Sequence, residues 1–222
     1  MTKLRDNENV LVLGAFLGIT ALVSALVLSL VFMVTREPIE KMQRKTMQDS
    51  LKLLNLPAFD NVPDSEAREY TSPGGFKVFI MPVRQKGALK AFAVRSVSPD
   101  GYAGEVEITG GFDLEGKILA VLVTRQRETP GLGTNVCERK FRKTIFNFFR
   151  SRPAGLPPNP ILDQFHGKQV PEKGDWKVKR DGGSFDFITG ATITSRAVTA
   201  AVEQAGKTLR LHADDFAKGG KK

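Results

Sequence analysis

Between Val10 and Val34 the chain carries no charged residue, and this run limits the possible folds more than any other feature. At about 1.5 Å of rise per residue, a helix over it outlasts a hydrocarbon core of about 30 Å. It reads as a transmembrane helix. A buried core helix is disfavoured by the length. A cleaved signal sequence is disfavoured because apolar residues continue nine positions past the cleavage-like triplet Val23-Ser24-Ala25. Lys3 and Arg5 precede the span, while Arg36, Lys41, Arg44 and Lys45 follow it, so Lys/Arg counting keeps the larger part of the chain inside. A long folded domain after the span weakens that rule, and the residues alone leave sidedness open.

The remainder of the 222 residues suffices for one good-sized domain. The expected organisation is a tail over 1–9, the span over 10–34, a stem helix over 35–57, a globular domain over 58–212 and a flexible tail over 213–222. Pro38 sits where a helix can begin, and Ile39, Met42, Met47, Leu51 and Leu54 follow near helical spacing. The same helix can equally pack on the domain. After a loop region from Pro57 to Pro73, apolar alternation predicts a hairpin of strands over 76–83 and 88–97, then strands over 104–113 and 116–127, the last of them central. Val136 to Phe149 places Phe141, Ile145, Phe148 and Phe149 on one helix face. A proline-rich connection at 153–160 and a short segment at 161–166 lead to two short strands, Trp176 to Arg180 and Ser184 to Ile188, around the Asp181-Gly182-Gly183 turn. A last helix from about Ile193 to Leu211 buries Ala197, Val198, Ala201, Val202, Ala205 and Leu209. The class is α+β, an antiparallel sheet flanked by helices.

Several functions are disfavoured. The 33 basic residues are scattered among 24 acidic ones, for a net charge of +9, and no Lys/Arg run alternates with aromatics, so nucleic acid is not the expected partner. A basic surface meeting acidic partners or lipid headgroups fits better. Cys137 is the single cysteine and His166 and His212 are the only histidines, too few and too separated to expect a metal site. Neither a Gly-x-Ser-x-Gly elbow nor a phosphate-binding glycine loop is present, and no residue is assigned as an independent catalyst.

The segment Asp186-Phe187-Ile188-Thr189-Gly190-Ala191-Thr192-Ile193-Thr194-Ser195 joins a short strand to the last helix. A helix N-terminus offers unsatisfied N–H groups and the positive end of the macrodipole, so it holds phosphate without a basic side chain. Gly190 and Ala191 keep the approach open, and Thr192 offers a hydroxyl that a phosphate can join. The simpler reading is a helix cap, for which Thr189, Thr192, Thr194 and Ser195 are all competent.

The run Asp186-x-x-Thr189-Gly190-Ala191-Thr192 resembles the attachment motif of substrates of the bacterial FMN transferase, whose last hydroxyl residue takes FMN through a phosphoester. Tyr102-Ala103-Gly104, Glu128-Thr129-Pro130-Gly131-Leu132-Gly133 and Asp181-Gly182-Gly183 resemble, in that order, elements of the G subunit of the Rnf electron-transport complex, and the likeness covers nearly the whole chain. Two relatives share the motif: the C subunit of the sodium-pumping NADH:quinone reductase and FMN-binding domains of periplasmic reductases. The sequence departs from the family at Gln126-Arg127, where a His-Lys pair is frequent.

The resemblance implies an FMN-binding domain with FMN on Thr192, Asp186 serving recognition by the transferase, and Thr189, Gly190, Ala191 and Thr194 around the phosphate. The ring would lie against Glu128, Thr129, Gly131, Leu132 and Gly133, a stretch that a tight Pro-Gly turn also explains. It further implies a single-pass protein of the inner membrane with its domain on the periplasmic or exterior side. Its partners would be the other subunits of a complex coupling ferredoxin/NAD electron transfer to Na⁺ or H⁺ movement, in which this chain is a relay. The alternatives are a flavinylated subunit of the quinone reductase, a module holding a phosphorylated ligand noncovalently, and a structural subunit without cofactor.

Overall fold

The computed structural model describes residues 3–139, 155–172 and 174–217. The chain forms two compact units, Met1–Thr46 and Met47–Lys222. The first is helical throughout its described residues, within α1 (Lys3–Leu53). The stretch Val10–Ile39 is long and apolar enough to cross a membrane, and every large apolar side chain from Val10 to Val34 is more than half exposed. A helix that is apolar all round and unpacked needs lipid as its solvent. Its polar atoms are handled locally: the hydroxyls of Thr20 and Thr35 donate to the carbonyls of Leu17 and Val31 at 2.9 and 2.7 Å. Pro38 lies inside α1 rather than at the start of a separate stem helix. A proline forfeits one backbone bond, and a long helix absorbs that loss.

In the second unit five antiparallel strands run in sequential order, β1 (Arg68–Thr71), β2 (Lys77–Gln85), β3 (Ala88–Ser98), β4 (Val106–Phe112) and β5 (Ile118–Arg125). Alternation sorts their side chains. Val78, Ile80, Phe92, Val94 and Ile108 face the main core, which includes the buried stripe of α4 (Thr192–His212), among them Ala197, Val198, Ala201, Val202, Ala205 and Leu209. Met81, Val83, Ala91, Ala93, Ala120 and Leu122 form a second core with Leu51 from the end of α1 and Leu54 just past it. Gly111 makes that approach possible, because a Cβ there would lie 2.8 Å from the carbonyl oxygen of Leu54.

Four sequence expectations change. β5 is an edge strand, not a central one. It reads as central because both faces are covered and its outer edge is occupied: Ile118 N donates to Lys168 O at 2.9 Å, and the Arg139 guanidinium donates to Val121 O at 3.0 and 3.1 Å. β1 lies in the stretch expected to be loop. Its four residues are mostly exposed, so no apolar alternation announces it. Residues 176–188 hold no ladder strands; a 3₁₀ turn over Lys179–Asp181 and an isolated bridge between Val178 and Phe185 take their place. The expected flexible tail contains α5 (Asp214–Ala217), whose Phe216 is buried against Tyr70 and Phe92. Of the helix expected from Val136 to Phe149, residues 140–149 lie outside the described residues; within them α2 (Gly133–Cys137) ends at the extended Glu138 instead of continuing. Residues 218–222 also lie outside them. The short segment after the proline-rich connection begins with α3 (Pro160–Asp163), capped by the Asn159 side chain.

Candidate functional site

Three stretches far apart in sequence meet at the start of α4. A cleft of about 360 Å³ is lined by Tyr102, Glu128, Thr129, Leu132, Gly133, Arg180, Gly190, Ala191, Thr192, Ile193 and Thr194. Seven of the expected cofactor-binding residues besides Thr192 are therefore together here. Gly131 and Thr189 are not among the lining. Gly131 instead shapes the turn: it sits at φ +77, its N–H donates to Thr134 Oγ1 at 2.9 Å, and Leu132 N closes on Thr129 O at 3.2 Å.

The N-terminus of α4 has no side-chain cap, and the cap position is Ala191. The helix-cap reading of the threonine cluster therefore fails. Ser195 N, donating to Ala191 O at 3.0 Å, makes the first helical bond. The N–H groups of Thr192, Ile193 and Thr194 thus have no partner within the helix. The hydroxyls of Thr192, Thr194 and Ser195 have other tasks. Ser195 Oγ accepts from Ile188 N at 3.3 Å and donates to Ala191 O at 2.9 Å, fastening the entry loop. Thr194 Oγ1 donates to Glu128 Oε2 at 2.7 Å. Thr192 Oγ1 accepts from Arg180 Nη1 at 3.1 Å and borders the cleft, although the residue is only 7% exposed.

Nothing in the sequence singles out Arg180, since one arginine in a polar loop twelve residues upstream gives no signal. Its place is set by the turn that follows it. Gly182 takes a left-handed conformation at φ +80, Gly183 N donates to Val178 O at 3.1 Å, and a Cβ on Gly183 would run into Lys177 O. Arg196 of α4 grips Asp181 through two hydrogen bonds, one of 2.7 Å from Nε, and holds that carboxyl below the usual carboxylate range. Beneath the loop, Trp176, Phe185 and Phe165 stack with ring centres 4.6 to 5.8 Å apart. Asp186 is exposed, stands outside the cleft lining and pairs with Lys179.

Glu128 is 4% exposed and ties the cleft together, accepting from Thr194 on one oxygen and from Ala103 N at 3.4 Å on the other. Two glycines clear the space around it: a Cβ on Gly101 would lie 2.7 Å from Oε1, and one on Gly133 would lie 2.6 Å from Oε2. Gln126 Oε1 accepts from Glu128 N, which gives the residue departing from the family pattern a structural job. Nearby Cys137 is buried, and its thiol is pushed up to about 12 by that burial and by the charges of Glu128 and Glu138. The histidines serve packing: His166 Nδ1 meets Leu119 O at 2.6 Å, and His212 stacks on Tyr70 at 4.1 Å.

A hydroxyl with a guanidinium on it, at an uncapped helix start, beside an open cleft with apolar walls, suits a phosphate carrying a planar ring. The donor set fits FMN. The comparisons agree: the model of the FMN-binding domain family matches residues 101–207. Over 218 residues the chain is 32% identical to the G subunit of the ion-translocating oxidoreductase complex of Vibrio cholerae serotype O1 (strain M66-2), covering 96% of this chain and 93% of that protein. It is 33% identical over 222 residues to the protein of the same name from Vibrio parahaemolyticus serotype O3:K6 (strain RIMD 2210633), covering 97% and 94%. With that of Salmonella typhi it shares 35% over 162 residues, 72% of this chain and 63% of the other.

Proposed function

The chain belongs to the family of G subunits of ion-translocating oxidoreductase complexes, and from that premise we propose that it carries FMN as a phosphoester on Thr192 and relays electrons within such a complex. The observation that carries the reading is the contact of Arg180 with the Thr192 hydroxyl at the uncapped start of α4. Bound FMN supplies one-electron redox chemistry, and the protein supplies placement and electrostatics. Arg180 and the free N–H groups of Thr192, Ile193 and Thr194 neutralise the phosphate. Gly190 and Ala191 leave its approach clear, and Tyr102, Thr129, Leu132, Gly133 and Ile193 offer the ring its walls. Gly131 and Thr189 act one step back, by shaping the turns that carry those walls. Asp186, exposed beside the loop of Arg180, is available to the FMN transferase during maturation.

In this reading the span Val10–Ile39 anchors the subunit in the inner membrane, with the flavin domain on the periplasmic or exterior side and the remaining subunits as electron partners. A covalent tether suits that side, because FMN lost there has no cytoplasmic pool to replace it. The complex would couple ferredoxin/NAD electron transfer to movement of Na⁺ or H⁺.

The test is coexpression with the FMN transferase, followed by intact mass and in-gel fluorescence under denaturing conditions. Wild type should carry one FMN and Thr192→Ala none. A wild-type chain without flavin, or a flavinylated Thr192→Ala chain, overturns the assignment.

A further inference from the structure

Glu128 is a buried carboxylate whose contacts among the described residues do not include a cation. Its two oxygens accept from a hydroxyl and a backbone N–H, and among the described residues it forms no ion pair. Arg180, which lines the same cleft, is directed to Thr192. Burying an uncompensated charge is costly. Two glycines nevertheless keep room for the carboxylate at the cleft wall, Gly101 on one side and Gly133 on the other.

Resting on the reading of this cleft as the flavin site, we propose that the Glu128 carboxylate lowers the reduction potential of the bound flavin. Reduction adds negative charge to the ring. A fixed negative charge in the protein wall opposes that addition more strongly than it would in water. The N-terminus of α4 and Arg180 pull the other way, and the phosphate absorbs most of their effect. Glu128 thereby biases the relay toward giving up its electron.

The same contacts would also make Glu128 a strap joining the 101–104 loop, the 128–134 loop and α4, so the experiment separates charge from tether. Full-length wild type, Glu128→Gln and Thr194→Val are purified in detergent, and intact mass establishes the FMN load of each. The loaded chains are then titrated potentiometrically with a chemical reductant and mediators. Removing the charge in Glu128→Gln should raise the potential by about tenfold in the one-electron equilibrium constant, ~59 mV. Removing the hydroxyl in Thr194→Val leaves the carboxylate less neutralised, and the potential should fall. A strap moves both variants in the same direction or neither, and either result overturns the proposal. If Glu128→Gln does not load, the carboxylate acts as a strap needed for loading, and the proposal is overturned. Wild type without flavin removes the underlying reading, a failure seen in the mass spectrum before any potential is measured.

Discussion

Gly133 and Gly131 stand two residues apart at the cleft and must be glycine for opposite reasons, which substitution to alanine can separate. A Cβ on Gly133 would lie 2.6 Å from Glu128 Oε2, 2.7 Å from Glu128 Cβ and 2.9 Å from Thr194 Oγ1. Carbon contacts are comfortable at about 3.5–4.0 Å, so the overlap with Glu128 Cβ is about 1 Å. The glutamate can move away only by giving up its bond to Thr194, because it is 4% exposed and held at both oxygens. Overpacking of this kind costs about 1–3 kcal/mol. The backbone at Gly133 is not left-handed, so alanine recovers about 0.4–1 kcal/mol through the unfolded chain. The net loss is about 1–2 kcal/mol, or a Tm lower by about 2–8 °C for a domain of this size. Gly131 has φ +77, and a methyl group added there would meet nothing within 4 Å. Alanine there costs about 1–2 kcal/mol of backbone strain alone. The two variants should therefore melt at similar temperatures, but only Gly133→Ala should break the Glu128–Thr194 bond and lower flavin loading. Trp176 is the sole tryptophan and sits in the Phe165–Phe185 stack, so its fluorescence reports melting of the second unit free of the membrane helix. A Gly133→Ala chain that melts with wild type and loads fully would refute the reasoning.

Arg180→Leu should reduce the flavinylated fraction severalfold, with Arg180→Lys intermediate because it keeps the charge but not the planar fork; equal loading of all three, by intact mass, would count against a phosphate role. The Cys137 thiol should resist a thiol reagent in the folded chain and react on denaturation. Its pKa is raised from 9.0 to about 12, so the folded state holds the extra proton, and its stabilising effect is complete below pH 9 and lost as pH rises toward 12. Cys137→Ser should flatten that alkaline decline in thermal melts. Phe216→Ala should destabilise the second unit by about 3–5 kcal/mol, since the ring is buried between Tyr70 and Phe92 with the Arg68 guanidinium 4.9 Å from its centre; an unchanged melt would return residues 214–217 to the status of a loose tail.

Legibility in the sequence followed the range of the interaction. The stripe of α4 and the β2–β3 hairpin are local periodicities, and they were readable because each residue's neighbours three, four or two places away settle its environment. β1 and α5 were not, because Arg68–Thr71 has no apolar rhythm and Phe216 is one aromatic in a polar stretch. β1 gains its place by pairing with β2, and α5 is held by partners more than a hundred residues away, as Tyr70 OH donating to Asp215 Oδ2 at 3.0 Å illustrates. The edge position of β5 was hidden by side chains that look interior on both faces. At the cleft, the residues within motifs were visible and the residue that depends on a distant loop, Arg180, was not.

The cap position of α4 shows how local stability and function diverge. A serine, threonine, aspartate or asparagine there would contribute about 0.5–2 kcal/mol, and three hydroxyl residues follow it within four positions: Thr192, Thr194 and Ser195. None caps the helix. Ser195 turns back to the entry loop, Thr194 turns to Glu128, and Thr192 meets Arg180. The effect is a 21-residue helix whose positive end stays open toward a cleft. A helix selected only for stability would close that end with the side chains it already has. Leaving it open makes sense when an anion from outside the helix completes the cap, and the Thr192 hydroxyl is where such an anion can be joined to the chain.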